Sequence, residues 1–190
     1  NNPTGTLLSL EKIDIILGLA TDTIVYIDEA YFEFSYVTAE KSIKKYPNLF
    51  VTRTFSKAFG LAALRIGYLV SSSGNIDEML KVRGPYDINQ VARVAAEASL
   101  ESLEDINLYR DEVMNDAKPL VEKFFNEKEI EFFQSRANFI YFKEPFDSFC
   151  EKLQENSILI RPQAYCYARV TIGTVEQMSE FIQIFNQLIS

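Results

Sequence analysis

The sequence predicts an α/β domain with parallel strands, followed by a small α+β domain. In the first half, short β-branched runs alternate with segments whose apolar residues recur at helical spacing. This alternation is typical of a parallel sheet covered by helices. Beyond it, residues 88–126 contain no glycine and a single proline, which indicates one or two long helices. Short strand-like runs and two helical segments complete the chain.

The first half is predicted to contain two helices and three strands. Apolar residues at helical spacing predict a helix over residues 9–20. The β-branched run at residues 23–28 predicts a buried strand that ends in an acid. A second helix is expected over residues 38–46, and the other two strands over residues 48–53 and 65–71.

The second half is predicted to begin with the long helical stretch 88–126. A break or kink is expected near residues 116–119, because Pro119 lies there. Alternation and helical spacing predict the elements that follow. The expected strands are residues 131–134, 138–142, 157–161 and 168–172, and the expected helices are residues 146–155 and 175–189.

The composition excludes several classes of function. The chain has no histidine, so Ser-His-Asp catalysis, Cys-His catalysis and histidine zinc sites are excluded. Cys150 and Cys166 are too few for a thiolate metal cage or a disulfide framework, and we expect two buried thiols and no metal. A net charge of −8 argues against nucleic acid as a partner, because phosphate binding needs clustered lysine and arginine. No apolar run approaches the roughly 18 residues of a membrane span.

Three polar clusters follow turns or strand ends in the first half. The first is the turn-forming string Asn-Pro-Thr-Gly at residues 2–5, and the second is Asp28 with Tyr31 after a strand. The third is Thr-Phe-Ser-Lys at residues 54–57, followed by Arg65. Open α/β sheets bind ligands at the carboxyl ends of their strands, which is where these side chains are expected. Taken singly, each cluster also fits a plain turn, a helix N-cap or a solvated lysine.

The combination and order of these clusters resemble the fold-type-I pyridoxal-phosphate enzymes, specifically the class I/II aminotransferases. The resemblance implies that Lys57 is a buried lysine that forms a Schiff base with the cofactor, and that Asp28 keeps the pyridine nitrogen protonated. It implies that an asparagine and a tyrosine hold the ring hydroxyl, while hydroxyls and an arginine neutralise the phosphate. The implied cofactor-binding set is Asn2, Asp28, Tyr31, Thr54, Ser56, Lys57 and Arg65.

Several longer stretches look most like histidinol-phosphate aminotransferases. They are residues 53–68, 82–86 with Asn89, 138–140 and 169–174. The resemblance implies that Arg169 grips the substrate α-carboxylate and that Arg161 contacts the substrate phosphate. The gap between these two arginines is shorter than that branch leads us to expect.

The resemblance also implies an organisation and an activity. Residues 1–100 are expected to be the second part of the cofactor-binding large domain, and residues 101–190 a connecting helix and the small domain. The family places a phosphate loop and a stacking ring upstream of the Asn-Pro-Thr-Gly string. We therefore expect the carboxyl-terminal portion of a cytoplasmic, homodimeric enzyme, inactive by itself, that acts on histidinol phosphate and 2-oxoglutarate/glutamate.

Two kinds of alternative remain at this point. One is another enzyme of the same fold, such as an aromatic aminotransferase, a threonine-phosphate decarboxylase or a carbon–sulfur lyase. The other is a non-catalytic binding module that retains the fold. The presence of Lys57, Asp28 and Arg65 together favours an enzyme, because a binding module needs no Schiff-base lysine.

Overall fold

The computed structural model describes residues 1–190 and divides into two compact units. The first unit is Leu8–Ile106, and the second unit combines Asn1–Leu7 with Asn107–Ser190. The domains expected over residues 1–100 and 101–190 stay a prediction. No helix combines the length and the apolar character that crossing a membrane requires.

The first unit is built from helices around a three-stranded sheet. Ser9 caps the first helix, since its hydroxyl oxygen accepts a hydrogen bond from Lys12 N at 3.3 Å. The segment expected to be helical at residues 38–46 forms only the short 3₁₀ helix Glu40–Lys44. The elements are α1 (Leu10–Leu19), β1 (Val25–Asp28), α2 (Phe32–Ser35), β2 (Leu49–Thr54), β3 (Gly67–Val70), α3 (Ser73–Val82) and α4 (Gln90–Glu101).

The sheet of the first unit has the order β1-β2-β3 and mixed direction. β1 and β2 are parallel, with Asp28 opposite Thr52, whereas β2 and β3 are antiparallel, with Thr54 opposite Gly67. The expectation of parallel pairing is therefore wrong for β3. The connection from β2 to β3 contains only the 3₁₀ turn Ala62–Leu64, and a parallel pair needs a longer crossover, usually a full helix.

The core of the first unit lies between α1 and the sheet. It contains the buried side chains of Ile13, Leu17, Ala39, Leu49 and Val51. Ile13 and Leu17 are four residues apart, so they face the sheet from the same side of α1. This packing fixes β1 and β2, whose ends carry the predicted polar clusters.

The second unit packs helices against a second three-stranded sheet, in which Tyr167–Thr171 lies between Phe139–Lys143 and Arg161–Gln163 and both pairs are antiparallel. Its core is aromatic, with ring centroids 4.5 Å apart for Phe149 and Phe185 and 4.9 Å apart for Phe125 and Phe142. The elements are α5 (Leu103–Asp111, which begins in the first unit), a π-helix (Glu112–Ala117), α6 (Lys118–Glu127), β4 (Phe139–Lys143), α7 (Phe149–Glu155), β5 (Arg161–Gln163), β6 (Tyr167–Thr171) and α8 (Val175–Ile189).

The second half departs from the sequence prediction in one additional helical break and in two strands. Helix α4 ends at its C-cap Ser102, where no break was expected. Near the break expected at residues 116–119, the π-helix Glu112–Ala117 interrupts the regular α-helix directly before α6 and Pro119. The strand expected at residues 131–134 is only an isolated bridge between Phe132 and Phe142. The strand expected at residues 157–161 begins at Arg161, because Ser157 has a φ of 64° and turns the chain.

The two thiols differ in exposure. Cys150 is half-buried at the start of α7, and burial, with Glu144 nearby, raises the pKa of its thiol to about 12. Cys166 is exposed, because it lies in the tight turn between β5 and β6, where both it and Tyr165 have positive φ. The expectation of two buried thiols is therefore wrong for Cys166.

Candidate active site

The parallel strands β1 and β2 bring two of the predicted side chains to one sheet edge. Asp28 is the last residue of β1 and Thr54 the last residue of β2, and parallel strands end on the same side of a sheet. Asp28 is exposed, and its Oδ1 accepts a hydrogen bond from Ala30 N at 2.9 Å. The carboxylate thus orders the turn after β1 while one oxygen stays open to a ligand.

The turn after β2 holds its two hydroxyls against each other. Thr54 Oγ1 donates to Ser56 Oγ at 2.9 Å, and Ser56 N donates to Thr54 Oγ1 at 3.1 Å. Phe55 N also donates to Ile66 O at 3.1 Å, and Thr54 Oγ1 lies 3.4 Å from the same oxygen. The two hydroxyls are therefore fixed to the segment that contains Arg65, the residue before Ile66.

Lys57 is exposed in this structure, so the expectation of a buried lysine is wrong here. The cause is local, since Phe55 and Ala58 in the same turn are 6% and 4% exposed and direct the lysine between them outward. Its Nζ lies 5.5 Å from the ring centroid of Tyr31, which is half-buried. The structure thus brings together the predicted lysine and the predicted tyrosine.

Arg65 is held in a strained backbone position next to β3. It has a φ of 54°, and its Nη1 donates to Ala62 O at 2.8 Å. Two residues on, a Cβ added at Gly67 would lie 2.6 Å from Arg53 O, so only glycine allows β3 to approach β2 this closely. This close approach places the exposed Arg65 guanidinium at the end of the sheet that carries Thr54.

A buried ion pair beneath this edge is missing from the sequence prediction. Arg53 Nε lies 3.0 Å from Glu29 Oε2, with the two side chains only 9% and 6% exposed. Glu29 Oε1 also accepts from Ala39 N at 2.7 Å, and the Arg53 guanidinium lies 3.6 Å from the ring centroid of Phe32. The sequence contains a signal for this pair. Glu29 directly follows Asp28 and Arg53 directly precedes Thr54, and both Asp28 and Thr54 are predicted site residues.

The second unit contains the remaining predicted residues, beginning with Asn2. Gly5 N donates to Asn1 O at 2.8 Å and closes the turn that presents Asn2. Arg169 Nη1 donates to Asn2 Oδ1 at 2.8 Å, and the guanidinium lies 4.9 Å from the ring centroid of Phe139. Arg169 Nε is buried and has no hydrogen-bond partner.

Arg161 and Arg169 lie side by side on the small sheet. They are directly opposite each other on β5 and β6, which places their side chains on the same face. Both line a cavity of about 400 Å³, and none of the ion pairs in the chain includes either guanidinium. Two adjacent cations without an acidic partner form a suitable site for an anion.

The predicted residues therefore form two groups, one in each unit. Asn2, Arg161 and Arg169 lie in the second unit, and the first unit contains the rest of the predicted set. Neither group contains a cluster of cysteine, aspartate or glutamate side chains that could hold a metal ion. The first group combines an amine, hydroxyls, a carboxylate and an arginine, and the second combines two guanidiniums and an amide.

Comparisons with known proteins agree with this architecture. A family model described as "Aminotransferase class I and II" matches residues 1–185. Histidinol-phosphate aminotransferase 2 of Legionella pneumophila (strain Lens) is 37% identical over 193 residues, which cover 96% of this chain and 52% of the relative. The chain thus spans about half the length of the curated relatives that it matches.

Solved structures share the same fold. The crystal structure of a putative histidinol-phosphate aminotransferase from Erwinia carotovora matches with a TM-score of 0.89 and 24% identity, covering 99% of this chain and 57% of that one. The L-threonine-O-3-phosphate decarboxylase from Porphyromonas gingivalis matches with a TM-score of 0.85 and 24% identity, covering 100% and 62%. The predicted fold class, a partial α/β large domain with a small α+β domain, is confirmed by these likenesses.

Proposed function

The chain belongs to the class I and II aminotransferase family, and from this premise we propose that it is the carboxyl-terminal portion of a pyridoxal-phosphate-dependent aminotransferase. The proposed reaction transfers an amino group between histidinol phosphate and 2-oxoglutarate/glutamate. The observation that carries the substrate class is that Arg161 and Arg169 are adjacent and that neither has an acidic partner. We further propose that the complete enzyme is a cytoplasmic homodimer.

The side chains of the first unit fit pyridoxal phosphate. The hydroxyls of Thr54 and Ser56 are already oriented by their mutual hydrogen bonds, and with the Arg65 guanidinium they suit a phosphate dianion. Asp28 has an open carboxylate oxygen for a protonated pyridine nitrogen, and Lys57 is free to reach an aldehyde. When bound, this cofactor supplies an electron-withdrawing ring that stabilises negative charge on the carbon bearing the amino group.

Lys57 and Asp28 would perform the chemistry within this set. The neutral amine of Lys57 would take the proton from the Cα of the amino donor and pass it within the same half-reaction to the cofactor carbon C4′. In the second half the transfer would run in reverse, and Lys57 would give a proton to the Cα of the oxo-acid acceptor. Asp28 holds the proton on the pyridine nitrogen through a charge-assisted hydrogen bond. Tyr31, whose ring lies 5.5 Å from Lys57 Nζ, limits the directions in which the lysine can point. Asn2, which belongs to the second unit, stays a predicted cofactor-binding residue.

The substrate anion would bind to the arginines of the second unit. The forked guanidinium of Arg169 matches a carboxylate with two parallel hydrogen bonds, which a lysine cannot reproduce. Asn2 fixes the orientation of that fork, since its Oδ1 accepts from Arg169 Nη1 at 2.8 Å. Histidinol phosphate has a phosphate group where glutamate has its α-carboxylate, so Arg169 would contact the anionic group of either substrate.

Arg161 would add the second positive charge that a phosphate dianion needs. The turn between β5 and β6 is tight, with Tyr165 and Cys166 at positive φ, and it places Arg161 directly opposite Arg169. This turn accounts for the short spacing of the two arginines in the sequence. A carboxylate needs one guanidinium, whereas a dianion is better matched by two.

The test uses a chimaera in which the unmatched part of the Legionella pneumophila relative is joined ahead of Asn1. Loss of a charged hydrogen-bond pair costs about 1.5–3 kcal/mol, so Arg169→Lys should lower kcat/KM about 10- to 150-fold for glutamate and for histidinol phosphate. Arg161→Lys should lower kcat/KM chiefly for histidinol phosphate. Arg93→Lys, on the exposed face of α4, is the matched control and should change neither. Small and equal effects of Arg169→Lys and Arg93→Lys would contradict the proposal.

Decarboxylation of a phosphorylated amino acid is a second candidate function. The observation that favours it is the same pair of guanidiniums, because such a substrate presents both a carboxylate and a phosphate. Incubation of the chimaera with threonine phosphate distinguishes the two functions. Release of carbon dioxide without an amino acceptor would support decarboxylation, whereas formation of an oxo acid that requires 2-oxoglutarate would support transamination.

A further inference from the structure

A buried lysine in the second unit has no part in the proposed chemistry. Lys118 is 4% exposed and begins α6 directly after the π-helix. Its Nζ donates to Ser135 O and, at 3.2 Å, to Ala137 O. Its nearest carboxylate oxygen, on Glu122, is 4.0 Å away, so the ammonium group is chiefly bound by backbone carbonyls.

The two carbonyls belong to a short segment, residues 135–137, that Lys118 holds at both ends. Ser135 Oγ accepts from Ala137 N at 3.1 Å, which tightens the segment into a turn. An ammonium group buried with carbonyl partners is costly to remove, because the carbonyls would lose their donors. Lys118 therefore fixes the conformation of this turn.

The same turn supports the segment that contains Asn2. Arg136 N donates to Gly5 O at 2.8 Å, and a Cβ added at Gly5 would lie 2.0 Å from Ser135 Oγ. Gly5 has a φ of +72°, so its position depends on close backbone packing that only glycine allows. Gly5 N in turn closes the loop onto Asn1 O, and Asn2 is the next residue.

We propose that Lys118 is a positioning residue for the Asn2–Arg169 pair. The path runs from the ammonium group through residues 135–137 and Gly5 to the turn that presents Asn2, whose Oδ1 orients Arg169. Lys118 touches neither the pair nor any substrate, and it acts by holding their support. The expected effect of Lys118 on the reaction rests on the proposed function. Its structural link to Asn2 and Arg169 does not, because all of these residues belong to the second unit.

The electrostatics of the site agree with a purely structural use of the charge. Burial lowers the pKa of Lys118, Glu122 opposes that shift, and Arg136 adds to it. A lysine kept at such a cost, with its one counter-ion as far as 4.0 Å away, is retained chiefly for the donors that it supplies. Methionine has a similar length and no donors, so Lys118→Met removes the hydrogen bonds while it also removes the desolvation cost.

The first arm of the test uses the 190-residue chain and nuclear magnetic resonance. In Lys118→Met, the amides of Arg136 and Gly5 should exchange with solvent at least about tenfold faster, and the side-chain signals of Asn2 Nδ2 and Arg169 Nε should shift. The amide of Phe185, in the aromatic core, should change by less than about twofold. Lys118→Arg should restore the wild-type signals, and Lys123→Met, on the exposed face of α6, should leave them unchanged.

The second arm uses the chimaera and separates binding from turnover. Misplacement of Arg169 should raise KM for both amino donors about tenfold or more, with a smaller change in kcat, because Arg169 would bind the substrate anion in the ground state as well as in the transition state. Unchanged Asn2 and Arg169 signals, or an unchanged KM, would overturn the positioning role. If Lys118→Met does not fold, Gly5→Ala is measured instead, because it disturbs the contact between residues 135–137 and the turn that presents Asn2. The Asn2 and Arg169 side-chain signals should then shift in the same way. A chimaera that is inactive with wild-type residues would contradict the proposed function, and the first arm would still decide the role of Lys118.

Discussion

The buried pair Glu29–Arg53 gives the sharpest prediction about the first unit. Glu29 directly follows Asp28 at the end of β1, and Arg53 directly precedes Thr54 at the end of β2. The pair therefore connects the two strand ends that present the proposed cofactor-binding side chains. Glu29→Ala removes the carboxylate and leaves the Arg53 guanidinium, 9% exposed, without its main counter-ion.

The expected cost can be worked out from the contacts that remain. Removing one partner of a buried pair costs about 3–5 kcal/mol, because it leaves an uncompensated buried charge. Arg53 keeps Thr38 Oγ1 at 2.8 Å and Glu40 Oε2 at 3.3 Å, which lowers this cost. Because the buried Ala39 amide also loses its acceptor, Glu29 Oε1, we expect at least about 3 kcal/mol. Glu40 contacts the same guanidinium, yet its side chain is 51% exposed, so Glu40→Ala should cost about 0–1 kcal/mol.

Amide hydrogen exchange measures this difference with an internal control. The Val25 amide, which donates to Asn48 O at 3.0 Å, reports on the first unit and should exchange about a hundredfold faster in Glu29→Ala. The Ile172 amide, which donates to Asn138 O at 2.8 Å, reports on the second unit and should be unaffected. If Glu29→Ala accelerates Val25 no more than Glu40→Ala does, the pair does not hold the strand ends together.

Two further predictions concern titratable groups. Iodoacetamide at pH 8 should modify the exposed Cys166 well before Cys150. Burial and Glu144 raise the pKa of the Cys150 thiol to about 12, so only about one part in ten thousand of it is thiolate at this pH. Mass spectrometry that found Cys150 modified first would contradict this. Burial raises the pKa of Glu33, with an opposing contribution from Arg53, and Glu33 Oε2 has no partner. A raised carboxyl pKa means that folding takes up a proton, so Glu33 weakens the fold increasingly as the pH rises above its ordinary value of 4.5. Urea unfolding should therefore show Glu33→Gln gaining stability over the wild type between pH 4 and pH 7, and no such gain would refute the assignment.

Local patterns in the sequence are sufficient to predict most of the elements and to select the residues at the strand ends. The run that becomes β1 is β-branched and ends in Asp28, and the string around Lys57 is a turn between two strands. Both features depend on neighbouring residues only, since strand propensity and turn chemistry are local. The division of the predicted site residues between two units does not follow from these local patterns, and their roles stay a prediction.

Features that depend on long-range register could not be predicted in this way. The antiparallel direction of β3 is set by a connection without a crossover helix, and Glu29 meets Arg53 only because β1 and β2 pair in one particular register. The contact between Asn2 and Arg169 joins residues 167 positions apart. The exposure of Lys57 follows from the packing of its two apolar neighbours, which the residue pattern alone does not determine.

The central claim is that Lys57 is the residue that bonds covalently to pyridoxal phosphate. Sodium borohydride converts a carbonyl compound bound to a lysine into a stable secondary amine, which peptide mapping by mass spectrometry can locate. In the chimaera loaded with pyridoxal phosphate, we expect the label on Lys57 and its loss in Lys57→Ala. Lys41, on the 3₁₀ helix Glu40–Lys44, is exposed and should remain unlabelled. Label spread over many lysines, or equal labelling of Lys57→Ala, would contradict the claim.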